Sequence, residues 1–134
     1  MTACVLDTDV VIAALDRQDA HHRAAAQAVT RLTETETELL LSAVNYAEAL
    51  VRPAENERTL RAAVAAIASL RIRVISPDAT VARSAAKNRG LGISLADGFA
   101  LATAAAHDAT VASFDKRVRH ALPPTGLELC EALR

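Results

Sequence analysis

The stretch Cys4-Val5-Leu6-Asp7-Thr8-Asp9-Val10-Val11-Ile12 constrains the chain more than any other, because an apolar run near the N-terminus is broken at its centre by two acids. Val5 and Leu6 read as a short buried strand, and residues 10–15 read as the helix that follows it. Asp7 therefore falls at the carboxyl end of a strand. In open α/β sheets ligands sit in the crevice outside those ends, so an acid there is placed for chemistry. An Asp at a strand-to-helix turn equally well caps the helix by accepting its orphan backbone N–H groups. One acid alone does not decide between the two.

Strands and helices alternate along the rest of the 134 residues. Helical spacing covers residues 21–32, a polar loop covers 33–38, and Leu39-Leu40-Leu41 is a buried strand with Ser42 as cap for a helix to about Arg52. Pro53 ends that helix. A second Ala-rich helix spans residues 55–70, Ile72 to Ile75 is a third strand, and residues 79–88 form a helix closed by Gly90 and Gly92. Ser94 opens a long helix to about His107, residues 110–113 form a fourth strand, and residues 115–120 make a short helical turn. Pro123-Pro124 and Gly126 read as a loop before a last strand at residues 127–130. Such alternation calls for a mostly parallel sheet covered by helices on both faces. The length is that of one domain spanning residues 1–134, able to bury roughly two-thirds of its unfolded surface.

Composition narrows the class of partner. With 51% apolar and 23% charged residues the chain reads as an ordinary globule, and its net charge of −1 rules out a globally basic binder. Tyr46, Phe99 and Phe114 are its only Tyr, Phe or Trp residues, too few for an extended base-stacking surface. Lys116, Arg117 and Arg119, and likewise Arg83, Lys87 and Arg89, are clusters that suit either a solvated helix face or a local phosphate-binding patch. Cys4 and Cys130 lie at opposite ends of the chain without metal-ligand spacing, which predicts small core residues in a reducing compartment and no disulfide. No secretory leader and no apolar run of membrane-spanning length is evident, so the expected location is the cytoplasm, away from membranes.

Four acids interrupt apolar contexts near strand ends or early in helices: Asp7, Glu48, Asp97 and Asp115. Glu48 stands beside a stripe of Val44, Ala47 and Val51, where a charge is unwelcome unless paired, metal-bound or turned to solvent. Asp97 follows Ser94 at capping-box spacing, and Asp115 is placed to cap the turn beginning at Lys116. Each has a structural reading taken singly. Together they lie on elements that converge on one crevice, where carboxylates repel by about 3 kcal/mol per pair at roughly 5 Å and an effective dielectric near 20. A hard divalent cation relieves that repulsion, and an oxygen-only donor set points to Mg²⁺ or Mn²⁺ rather than zinc. His21 and His22 precede a helix and read as its solvated start.

The chain resembles the PIN-domain nucleases, and among them the VapC-type toxins of bacterial toxin–antitoxin pairs. The resemblance rests on Val5-Leu6-Asp7-Thr8, Asn45-Tyr46-Ala47-Glu48, Ser94-Leu95-Ala96-Asp97-Gly98-Phe99-Ala100 and Ala109-Thr110-Val111-Ala112-Ser113-Phe114-Asp115, in that order. It implies a three-layer α/β/α sandwich with a central, mostly parallel sheet, and Mg²⁺- or Mn²⁺-dependent endoribonuclease activity. Asp7, Glu48, Asp97 and Asp115 match the family's catalytic, metal-holding acids. Thr8, Asp9 and Ser113 support them, Ser113 by orienting ligands through its hydroxyl. Asp9 is a departure, since the family more often carries Ser or Asn there, and it either adds a fifth carboxylate or faces away. The resemblance further implies an RNA substrate, a homodimer, and silencing by a cognate VapB-type antitoxin.

The chemistry needs no protein nucleophile. One or two cations held by Asp7, Glu48 and Asp97 lower the pKa of a water, and the hydroxide so formed attacks phosphorus in line. A haloacid-dehalogenase-like phosphohydrolase is the sharpest alternative, with Asp7 as nucleophile and Asp9 as acid/base, but only Lys87 and Lys116 are available as its lysine. A metal-free binding module in which the acids are caps is the third reading.

Overall fold

A computed structural model describes residues 2–134. Its centre is a four-stranded parallel sheet of order β3-β2-β1-β4, made of β1 (Ala3–Leu6), β2 (Glu38–Ser42), β3 (Ile72–Ile75) and β4 (Thr110–Ala112). β1 pairs with β2 through Ala3↔Glu38, Cys4↔Leu39 and Val5↔Leu40, and with β4 through Cys4↔Thr110, Val5↔Val111 and Leu6↔Ala112. The first strand of the chain is thus interior to the sheet. Its carboxyl end, where Asp7 follows Leu6, opens beside the carboxyl end of β4.

Seven helices cover the two faces: α1 (Thr8–Leu15), α2 (His22–Glu34), α3 (Ala43–Leu50), α4 (Glu57–Ser69), α5 (Ala79–Asn88), α6 (Leu95–Ala106) and α7 (Lys116–Thr125). Strand side chains alternate between the faces, so successive buried residues enter alternate cores. Cys4, Leu6, Leu39, Leu41 and Ala112 join Val10, Val11, Val29, Leu32 and Ile67 in one core. Val5, Leu40 and Val111 join Ile93, Leu101, Val118 and Leu122 in the other. Each fully buried Leu or Val contributes about 1.5–3 kcal/mol. The result is the α/β/α sandwich expected, with a sheet that is wholly parallel. Cys4 and Cys130 are buried and unbridged.

Local boundaries depart from expectation in three places, each for a backbone reason. α1 begins at Thr8 rather than Val10, because the Asp7 carboxylate accepts from Thr8 N at 2.9 Å and draws the helix start forward. That places Asp9 in the first helical turn. Pro123 and Pro124 lie in the last turn of α7 rather than in a loop; their missing N–H groups cost little where the turn is solvated, and Gly126 at φ 78° ends it. The last strand shrinks to a single bridge, Leu129 to Val111, because Cys130 already opens the 3₁₀ turn Glu131–Leu133.

Two helices approach unusually closely. A Cβ on Gly98 of α6 would stand 2.6 Å from the carbonyl oxygen of Ala85 on α5, while Asn88 Nδ2 donates to Gly98 O at 3.0 Å. Glycine at this point lets α5 lie against the first turns of α6. Among the described residues no helix is long and apolar enough to cross a membrane.

Candidate active site

Asp7 is 2% exposed at the hinge between β1 and α1. Its Oδ1 accepts from Thr8 N, and its Oδ2 accepts from the Ser113 hydroxyl at 2.8 Å. Ser113 is fully buried just beyond β4, and its oxygen also accepts from Asp115 N at 3.1 Å. One hydroxyl therefore fixes the acid after β1 and the acid after β4 against each other. Asp115 itself caps α7, taking Arg117 N at 2.8 Å on Oδ1. Burial pushes the Asp7 carboxyl up to about 7, with the negative charges of Asp9 and Asp97 adding to the effect against the Ser113 and Thr8 bonds.

Asp9 turns toward this point. Its Oδ2 accepts from Phe114 N at 3.0 Å, while its Oδ1 is buried without a hydrogen-bond partner among the described residues. Burial raises its carboxyl to about 6, opposed by the Phe114 bond and reinforced by the charges of Asp115 and Asp97. Of the two alternatives for Asp9, facing away is excluded. Asp97 sits in the first turn of α6, where Ser94 Oγ accepts from Asp97 N at 3.1 Å and Asp97 Oδ2 accepts from Ser94 N at 3.4 Å. It is a cap and also a charge felt by Asp7 and Asp9.

Glu48 arrives differently. It is exposed on α3, and the Thr8 hydroxyl donates to its Oε1. Asn45, one turn earlier and fully buried, donates through Nδ2 to Thr8 Oγ1 at 3.0 Å and to Ala96 O at 3.2 Å. A continuous path thus runs from α6 through Asn45 and Thr8 to Glu48. The stripe expected on α3 is corrected here: Val51 is 66% exposed, and the buried positions are Asn45 and Ala49 rather than Val44, Ala47 and Val51. Glu48 is turned to solvent and paired at once. Asn45 is the residue that spacing missed; an amide three positions before an acid, on the same helical face, was the available signal.

The structure therefore brings Asp7, Asp9, Asp97 and Asp115 to the carboxyl ends of β1 and β4, with Glu48 tethered at the rim by Thr8. Among the described residues no three His, Cys, Asp or Glu side chains already stand close enough to hold a metal between them. The donors nevertheless suit a hard cation that keeps several waters: they are all oxygens, they repel one another, and Asp9 Oδ1 is buried and unpaired. Asp7, Asp9, Asp97, Asp115 and Glu48 are the residues that could hold it. The only ion pairs among the described residues are Arg73–Glu38 and Arg134–Glu128, so Lys116 and Arg117, exposed beside Asp115, remain unneutralised. A largely apolar groove of about 730 Å³ runs between α1, α3 and α4, lined by Ile12, Leu15, Ala49, Val51 and Ala63 and edged by Glu48.

With this geometry in hand, similarity to known proteins can be placed on it. The PIN domain family model matches residues 4–121. No curated protein sequence matches the chain. Among solved structures the chain is similar to VapBC2 of Rickettsia felis bound to a promoter DNA fragment, at TM-score 0.75 and 16% identity over 96% of this chain and 98% of that one. It is similar to VapC20 of Mycobacterium tuberculosis, described as a sarcin-ricin loop cleaving toxin, at TM-score 0.70 and 20% identity over 88% and 94% of the two chains. FitAcB of Neisseria gonorrhoeae matches at TM-score 0.65 and 25% identity over 96% and 97%.

Proposed function

The chain belongs to the PIN domain family, and on that premise we propose that it is a Mg²⁺- or Mn²⁺-dependent endoribonuclease, the toxin of a VapBC-type pair. The observation that carries this reading is the placement of Asp7, Asp9, Asp97 and Asp115 about the carboxyl ends of β1 and β4, where the charges of Asp9 and Asp97 act on Asp7 and those of Asp115 and Asp97 act on Asp9. Four buried or half-buried acids with no basic partner are costly in a fold unless a cation is their working companion.

A bound Mg²⁺ or Mn²⁺ supplies an acidified water for attack on phosphorus and positive charge for the departing oxygen. The chain's own residues set the stage for that. Ser113 locks Asp7 and Asp115 into one arrangement, Ser94 fixes Asp97, and Thr8, itself held by Asn45, tethers Glu48 at the rim. Lys116 and Arg117 flank the crevice and are placed to meet the phosphates of an RNA strand.

The partner follows from the neighbours, which are solved as VapBC and FitAB toxin–antitoxin assemblies. The apolar groove beside Glu48 suits the apolar face of an antitoxin segment whose polar end reaches the acids. Incubation of the purified chain with cellular RNA and Mn²⁺ is the direct test. Cleavage that stops with EDTA and with Asp97→Asn supports the reading; cleavage that survives EDTA removes the metal from it.

A further inference from the structure

Phe114 is held on two sides. Its peptide nitrogen donates to Asp9 Oδ2 at 3.0 Å, and its ring lies flat on the imidazole of His21, with centroids 4.3 Å apart and planes 10° from parallel. Phe114 is half-buried, whereas His21 is exposed, so the imidazole face turned away from Phe114 is open to solvent. The ring makes no capping bond at the start of α2. The backbone that carries it is held. Asp19 Oδ1 accepts from His21 N at 2.8 Å, Asp16 Oδ1 accepts from Gln18 N at 2.9 Å, and the neighbouring His22 ring is bonded to Ala13 O at 2.7 Å. A flat, solvent-exposed ring, carried on a hydrogen-bonded backbone and stacked on Phe114, therefore stands next in space to the segment that carries Ser113 and Asp115.

We propose that the His21–Phe114 stack is the seat of one unpaired nucleobase, beside the phosphate that the carboxylates address. The proposal rests on the ribonuclease reading above and narrows its substrate to RNA whose cleaved bond adjoins a base free to leave its own stack. A paired base in an A-form helix cannot lay its face on a protein ring, whereas loop and bulge bases do so readily. Stacking tolerates any base, and one such contact ordinarily changes affinity by about five- to a hundredfold. The scarcity of aromatic residues is compatible with this, since a single seat requires one stacked pair and not an extended platform.

Three variants and two substrates test it: His21→Ala, His21→Tyr and His21→Trp, with an unpaired RNA and the same RNA made abasic beside the mapped cleavage site. With Mn²⁺, His21→Ala is expected to raise KM about tenfold on the intact RNA at unchanged kcat, to match wild type on the abasic RNA, and to be rescued by His21→Tyr. The chain contains no tryptophan, so His21→Trp carries the sole indole, and intact RNA in Ca²⁺ should quench its fluorescence while abasic RNA should not. Equal KM for wild type and His21→Ala, or an equal loss on both RNAs, overturns the seat; the latter would mean that His21 only props the Asp115 segment. If wild type cleaves no RNA with any metal, the ribonuclease reading fails by itself. The indole signal then decides alone: quenching by intact RNA keeps the seat, and none ends it.

Discussion

At Asp7 two demands on one carboxylate meet. Burial and the charges of Asp9 and Asp97 push its pKa from 3.8 to about 7, so the folded chain holds this proton more tightly than the unfolded chain does. The stabilisation is therefore complete below the unfolded value and is lost as pH rises through the folded one. Without metal, Tm should fall by several degrees between about pH 4 and about pH 8, as followed by circular dichroism. Mn²⁺ should restore it at the upper end. Asp7→Asn should stabilise the metal-free chain at about pH 8 and lower RNA cleavage at least a hundredfold, and a Tm that is flat in pH and blind to Mn²⁺ would contradict the account. Thr8→Val cuts the tether between Asn45 and Glu48, and should cost about 10–100-fold in cleavage with little change in Tm. The acids were legible in the sequence because each interrupts an apolar context. Asn45 and the direction of Asp9 were not, since a buried amide in a helix is spaced like a surface one, and Asp9's contact lies at Phe114, across the whole fold.

Among the elements, α6 carries most of what sequence alone could see: the Ser94–Asp97 capping box forms as its spacing suggests. Ser94→Ala removes one arm of that box and should cost about 1 kcal/mol of stability, while loosening Asp97 enough to weaken cleavage as well. Gly98 is harder to read. Nothing local to it says that Ala85 O on another helix stands where its Cβ would be. Gly98→Ala must push α5 and α6 apart and should destabilise by about 1–3 kcal/mol, measured by denaturant unfolding. An unchanged unfolding midpoint would mean that α5 shifts freely. The same limit explains α3, where periodicity alone selected the wrong face: neighbours on α1 and α6, not apolar spacing, decide that Asn45 turns inward and Val51 outward.

For the molecule as a whole, the acids at the strand ends adjoin a largely apolar groove whose lining Glu48 shares. Ala62→Asp places a charge in the groove from α4, an exposed position on a different helix from Glu48. Such a chain should cleave RNA as wild type does yet escape neutralisation by its antitoxin, scored as growth arrest on co-expression; continued neutralisation would move the partner elsewhere. The layered architecture was legible from the alternation of strands and helices. Its last strand was not, because one bridge at Leu129 is all that the turn after Cys130 leaves room for. The sheet order has one more consequence. Asp7 follows the first strand of the sheet, yet the hydroxyl that orients it belongs to Ser113, 106 residues further along, just after β4 ends at Ala112. Until β4 has docked against β1, Asp7 therefore lacks the hydroxyl that fixes its Oδ2, and a chain cut between the two strands should not assemble the crevice.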